Sequence, residues 1–194
     1  MAGYTQTELD DIQAKWNLRF PPDLVALLRA RRKVIEGEFG SFDWLDAPDE
    51  TIKGSLDWPL EGFLFDVQHG LWWPEWGDRP DEPHVTEDRL KSIFAAAPKL
   101  IPVCGHRYIP EEPNEDGNPV FSVWQMDVIC YGANLDDYIR RELNPETKDD
   151  WPDASDSNVK QIPFWTRAVE FNNQRFSDGR GFAFFNKGSV LPEP

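Results

Sequence analysis

Apolar residues recur along the chain at two spacings, one helical and one strand-like, and the change between them divides the sequence into parts. Near the amino terminus, "TQTE" (Thr5 to Glu8) has the form of a capping box, in which a hydroxyl and a carboxylate satisfy the first free amides of a helix. Leu9, Ile12 and Trp16 follow at helical spacing and predict one apolar face. "FPPDLVALLRARRK" predicts a second helix, with proline tolerated in its first turn and Leu24, Leu27 and Leu28 as the buried stripe. Arg29, Arg31, Arg32 and Lys33 are expected in its last turns, where cations favour the negative helix end.

From Phe39 to Pro80 the chain is rich in Trp, Gly and Pro. "DETIKGSLDW" and "PLEGFLFDVQHG" predict short helical pieces, broken by Gly54, Pro59 and Gly70, and "LWWPEWGDRP" a compact aromatic turn. A helix is expected from Thr86 to Ala97, stopped by Pro98. The period then switches. Leu100 to Val103, Arg107 to Ile109, Val120 to Trp124 and Val128 to Tyr131 read as short strands, with the turn-forming "NEDGNP" between the second and third. Pro102 and Pro110 have no amide donor, so their strands must be edges or end there.

"NLDDYIRREL" has the marks of a capped helix: Asn134 as cap, Asp136 and Asp137 in the first turn, Arg140 and Arg141 near the other end. Leu135, Tyr138, Ile139 and Leu143 share its apolar face. "NPETKDDWPDASDSN" reads as an acidic surface loop. "IPFWTRAVEFNN" gives a last helix, with Ile162, Trp165 and Val169 in phase, while "GRGFAFFNKGSVLPEP" has no clear period. Helices, then antiparallel strands, then helices predict an α+β fold. The expected architecture is a central antiparallel sheet of about four to six short strands flanked by amino- and carboxy-terminal helices. One domain is expected over residues 1–175, with an irregular tail over 176–194.

Composition sharpens this picture. Of 194 residues, 40% are hydrophobic and nine are Trp, enough for a substantial core. No apolar run approaches membrane-spanning length and the amino terminus has no signal pattern, so a cytoplasmic location and no membrane partner are expected. The two cysteines lack metal spacing and read as free thiols in a reducing compartment. A formal charge of -15 repels phosphate backbones, so nucleic acid is not an expected partner. The same field would speed encounter with a basic protein, although acidity by itself also serves solubility.

The candidate chemistry lies in "LIPVCGHRYIPEEPNEDGNPVFSVWQMDVICYG", where Cys104, His106 and Asp127 could be nucleophile, base and orienting acid. On a strand, Cys104 and His106 would stand about 6–7 Å apart at the backbone, and only a bend at Gly105 would close the gap. There is no nucleophile elbow and no glycine-rich oxyanion loop. The structural reading fits better: Cys104 as a small buried hydrophobe and His106 as a hydrogen-bonded strand residue. His69, His84 and His106 are too dispersed for a metal site, and no nucleotide-binding motif is present, so no cofactor or metal is expected. Trp72, Trp73 and Trp76 could stack on a sugar or a cation; the reading favoured here is a core lid with Arg79 against an aromatic face.

"APKLIPVCGHRYIPEEP", "GNPVFSVWQMDVICYGANLDDYIRREL", "WPLEGFLFDVQ", "WWPEWGDRP" and "FWTRAVEF" together resemble the SUKH superfamily, also called the SMI1/KNR4 family. The resemblance extends over about Pro22 to Phe171, and none of its motifs is a catalytic signature. It implies an α+β fold with a central antiparallel sheet, and no enzymatic activity. Many bacterial members are immunity proteins that bind and block toxins, often nucleases, whereas fungal relatives are regulatory scaffolds; both roles are open to this chain. Contact residues vary among such proteins and do not carry over.

An acidic protein can cover a basic, phosphate-attracting cleft without chemistry of its own. On that expectation, the candidate partner-binding residues are acidic and near turns. They are Asp81 and Glu82; Glu111, Glu112, Glu115 and Asp116; and Asp149, Asp150, Asp153 and Asp156.

Overall fold

The computed structural model describes residues 2–35, 41, 43–144, 152–153 and 156–177. Among them are six α-helices and one four-stranded antiparallel sheet, an α+β arrangement in the expected order. The helices are α1 (Gln6–Trp16), α2 (Pro22–Ala30), α3 (Asp49–Gln68), α4 (Pro83–Ala96), α5 (Leu135–Leu143) and α6 (Trp165–Ser177). The strands are β1 (Leu100–Cys104), β2 (Arg107–Pro110), β3 (Val120–Trp124) and β4 (Asp127–Gly132), paired in sequence order as a meander. Pro102 stands in the edge strand β1 and Pro110 is the last residue of β2, where a missing donor costs little.

The strands read as near-continuous apolar runs because both faces of the sheet are covered. Side chains alternate faces along a strand. Tyr108, Phe121, Val123 and Val128 join one cluster with Phe63 of α3, Leu90 of α4 and Trp165 of α6. Their neighbours Ile109, Val120 and Tyr131 join a second cluster with Leu9 of α1, Leu24 of α2 and Tyr138 of α5. In the first, Trp165 meets Phe63, Phe94 and Phe164 edge-on and donates its indole N–H to the Pro98 carbonyl at 2.7 Å. Edge-to-face pairs of this kind add about 0.5–1.5 kcal/mol each beyond the area they bury.

Local signals set the helix ends. Thr5 and Glu8 form the reciprocal capping box, and Asn134 accepts from the Asp137 amide at 2.9 Å to start α5. Two expectations fail at helix ends. Helix α2 stops at Ala30, so Arg31, Arg32 and Lys33 lie beyond it; Arg32 instead pairs with Asp43 at 3.3 Å and Glu8 at 3.6 Å. Leu143, in the last position of α5, is 64% exposed, so the apolar face of this helix is buried only at Leu135 and Tyr138 near its start. Helix α4 starts at Pro83, three residues before Thr86, with proline in the first position, where its missing N–H has no intrahelical use. Helix α6 runs to Ser177, past the expected boundary at 175; residues 178–194 lie outside the described residues.

The largest correction concerns α3, which runs unbroken through Gly54 and Pro59 for 20 residues. A proline inside a helix removes one backbone donor and costs about 3 kcal/mol. At position 59 the acceptor left over is the Ser55 carbonyl, and the Tyr108 hydroxyl of β2 donates to it at 2.9 Å. The sheet thus supplies the hydrogen bond that the helix lacks. Gly62, one turn on, lets α3 approach the β3–β4 turn: a Cβ there would lie 2.8 Å from the Gln125 Cα. Asp66, a further turn along, accepts the Met126 amide at 2.8 Å.

Candidate functional site

Two tight turns and one helix build the most distinctive surface feature. The β1–β2 turn places Gly105 at φ +54° beside His106, and the β3–β4 turn places Gln125 at φ +58° beside Trp124. Helix α3 passes both and contributes Trp58. The cleft between them has a volume of about 350 Å³ and is lined by Trp58, Trp124, His106 and Tyr108, with Glu50 at its edge. Trp58 and Trp124 are 37% and 47% exposed, with ring centroids 5.1 Å apart. His106 meets Trp124 edge-on at 5.5 Å, and the Trp58 indole donates to the Val123 carbonyl at 3.2 Å. On α3, exposed Phe65 stands two turns beyond Trp58. Large aromatics held rigidly at a surface are the anchors that protein interfaces favour.

The residues weighed for chemistry have separate surroundings. Cys104 packs against the second apolar cluster beside the Tyr138 hydroxyl, and burial raises its thiol above the ordinary value. His106 belongs to the aromatic cleft; burial and then the Arg107 charge lower its imidazole to about 4, so it is neutral near pH 7. Arg107 lies over the Tyr131 ring at 3.8 Å and donates to the Ser122 hydroxyl at 2.9 Å. Asp127 opens β4 directly after the β3–β4 turn, opposite Trp124, and its carboxylate is held by α6, accepting from Asn172 at 2.8 Å. A thiol kept protonated and an imidazole turned toward an indole do not make an activated nucleophile. Among the described residues there is no group of three or more metal-ligating side chains.

The aromatic turn is core, as expected for a lid. Trp73 and Trp76 are buried, and Trp73 stacks on Phe171 at 5.2 Å. Arg79, however, donates to the Val67 carbonyl at 2.8 Å, where it serves the carboxy-terminal end of α3.

The acidic candidates divide by neighbourhood. Asp81 and Glu82 are exposed at the start of α4. Glu111 is half-buried and accepts the Arg19 amide at 3.2 Å; burial raises its carboxyl above the usual range. This position serves the fold. Glu112 lies 4.0 Å from Arg19, and Glu115 pairs with Lys160 at 3.2 Å. Lys160 also bonds the Asp116 carbonyl, which brings exposed Glu115 and Asp116 to the segment that follows Asp153 and Asp156, both exposed. Asp149 and Asp150 lie outside the described residues.

Sequence reading missed Trp58, Trp124 and Asp66. For the tryptophans the available signal is position: Trp58 on the polar side of a helix and Trp124 at a strand's last residue. For Asp66 there is none, since its partner is a backbone amide of a distant turn. Asp66 is 1% exposed, and its Oδ1 has no hydrogen-bond partner among the described residues. Burial raises its carboxyl above the ordinary value, while the Met126 amide and the charges of Arg175 and His69 pull it back. Asp127, which faces it, is also raised by burial, helped by the Asp66 charge and opposed by Asn172.

Because the folded protein holds the Asp66 proton more tightly than the unfolded chain, its contribution to stability is full below the ordinary carboxylate pKa. That contribution is lost as pH rises through the folded value. Asn at this position keeps an oxygen for Met126 and does not ionise. The stability of Asp66→Asn relative to the native chain is therefore expected to rise from about pH 4 to about pH 7 in urea melts. A difference constant across that range would show that Asp66 does not titrate there.

No helix among the described residues is long and apolar enough to cross a membrane. Comparison of the chain with protein-family models, with curated proteins and with solved structures finds no match.

Proposed function

We propose that this chain is a non-catalytic protein-binding domain, acting as an immunity protein that neutralises a bacterial toxin by covering a basic, phosphate-attracting surface such as a nuclease cleft. The observation that carries the reading is the pair Trp58 and Trp124, large aromatics exposed side by side on a chain of net charge -15. Aromatic anchors supply affinity, and a surrounding acidic field supplies orientation and encounter rate. Glu50 lines the cleft, and Glu61 is exposed three residues from Trp58 on α3. The resemblance to the SUKH superfamily supports the same reading, through motifs that carry no catalytic signature. The separate surroundings of Cys104, His106 and Asp127 favour it over an enzyme.

Immobilised protein, exposed to lysate from a strain encoding toxins beside genes of this kind, should retain a basic protein. Raising salt from about 50 mM to about 500 mM should weaken that complex, because the Debye length falls well below 10 Å at the upper end. Binding that is insensitive to salt, or a partner of neutral or acidic charge, would remove the toxin reading; a regulatory scaffold would then fit the data better.

A further inference from the structure

On the other side of α3, a second cavity has a different chemistry. It lies between the end of α1, α3, α4 and the link from α4 to β1, has a volume of about 570 Å³, and shares no lining residue with the aromatic cleft. Leu56, Leu60, Phe94 and Trp165 give it an apolar lining. Its charged members are Lys53, Lys91 and Lys99 against one carboxylate, Asp57. Two positive charges in excess at one cavity stand out in a chain with 35 acidic and 20 basic residues.

The three ammonium groups differ in how far they are committed. Lys53 is ion-paired with Asp57 in the next turn of α3. Lys91 is only 3.8 Å from Asp88, a carboxylate that is itself 76% exposed. Lys99 donates to the Asn17 carbonyl at 2.6 Å, an uncharged acceptor, and its charge also acts on the Glu111 carboxylate, which itself accepts the Arg19 amide. An ammonium has three donors, so Lys91 and Lys99 each retain capacity for an anion. The volume falls in the range of small-molecule sites, about 300–1,000 Å³, in which an apolar lining supplies affinity and a few polar groups fix orientation.

From this charge complementarity we infer that the cavity between α1, α3 and α4 binds a small amphiphilic monoanion of the medium-chain carboxylate type. Its alkyl body occupies the apolar lining and its carboxylate meets Lys91 and Lys99. The inference is independent of the protein-binding reading, since it uses the opposite side of α3 and no residue of the cleft.

The test titrates the full chain with sodium decanoate, below the concentration at which it forms micelles, by calorimetry and by tryptophan fluorescence. Decanol and decyltrimethylammonium, of equal chain length, serve as comparators. Decanoate should bind saturably at one site, about tenfold or more tighter than decanol, as expected of two charge-assisted contacts beside an apolar lining. The double variant Lys91→Ala, Lys99→Ala should erase that preference while leaving decanol binding unchanged, and a parallel Lys91→Ala single variant, which keeps the Lys99 bond to Asn17, should lose part of it with Tm unchanged. Leu60→Trp, which fills the cavity, should abolish binding of both. Equal affinity for decanoate and decanol, or decanoate binding that survives loss of both lysines, would overturn the assignment. So would saturation by an acidic amphipathic peptide in the absence of any decanoate binding, which would give the cavity to a macromolecule.

Discussion

Replacing Trp58 and Trp124 together with alanine should weaken binding of the protein partner by about 100-fold or more while leaving the fold in place; interface tryptophans commonly lose 2 kcal/mol or more on truncation, about 30-fold each. The two rings are in contact, so their losses will not sum simply and the single variants are needed beside the double. The folded state loses little, because both side chains are exposed and, among the described residues, they make one side-chain hydrogen bond, from the Trp58 indole to Val123. Such a bond is worth about 0.5–1.5 kcal/mol, which thermal melts can separate from the binding effect. Charge reversal at Glu115 and Asp116 is the matching control. At a solvated rim it should lower the association rate and flatten its salt dependence, with little change in dissociation. If the tryptophan variants bind as well as the native chain and the charge reversals do not, the interface lies on the β2–β3 loop and the cleft has no part in it.

What could be read from the sequence was what neighbouring residues decide among themselves. The capping box at Thr5, the cap at Asn134, the four strands and the break at Pro98 each depend on a handful of adjacent residues, and each stands where its local chemistry places it. The failures share a different origin. Pro59 breaks a helix in isolation, yet Tyr108, 53 residues from the Ser55 carbonyl left without its donor, fills the vacancy. Arg32 looked like a helix-end cation because nothing local reveals Asp43 and Tyr4, which draw it into a cluster with the amino-terminal segment. Asp127 looked available to His106 because the contribution of Asn172 from α6 cannot be seen from within the hairpin. The cleft was illegible for the same reason, since Trp58 and Trp124 belong to different elements and become a pair only when α3 crosses the β3–β4 turn. Charge, by contrast, is a whole-chain sum. It pointed to acidic loops, of which the β2–β3 loop is partly spent on Arg19 and Lys160.

The dependence of α3 on the sheet makes Tyr108→Phe an expected stability defect out of proportion to one lost oxygen. Tyr108 is 1% exposed, and burial holds its phenol above the ordinary value, so the hydroxyl remains a donor at any ordinary pH. Removing it leaves the Ser55 carbonyl with neither a helical nor a tertiary partner at the position of Pro59, which should cost about 1–3 kcal/mol. Restoring the backbone donor should rescue most of that loss. In a Pro59→Ala background the amide of residue 59 can reach Ser55, a carbonyl accepts two hydrogen bonds, and Tyr108→Phe then forfeits only an ordinary bond of about 0.5–1.5 kcal/mol. Urea melts of the four proteins close a double-mutant cycle, and the expected coupling is about 1 kcal/mol, with the hydroxyl mattering more when the proline is present. Because Trp58 immediately precedes Pro59, the uncoupled single variant should also loosen the cleft. The loosening would appear as a rise in Trp58 fluorescence mobility in a chain where that residue is the only labelled indole. Additive effects of the two substitutions would mean that α3 tolerates its proline by packing alone and that Tyr108 serves the core without serving the helix.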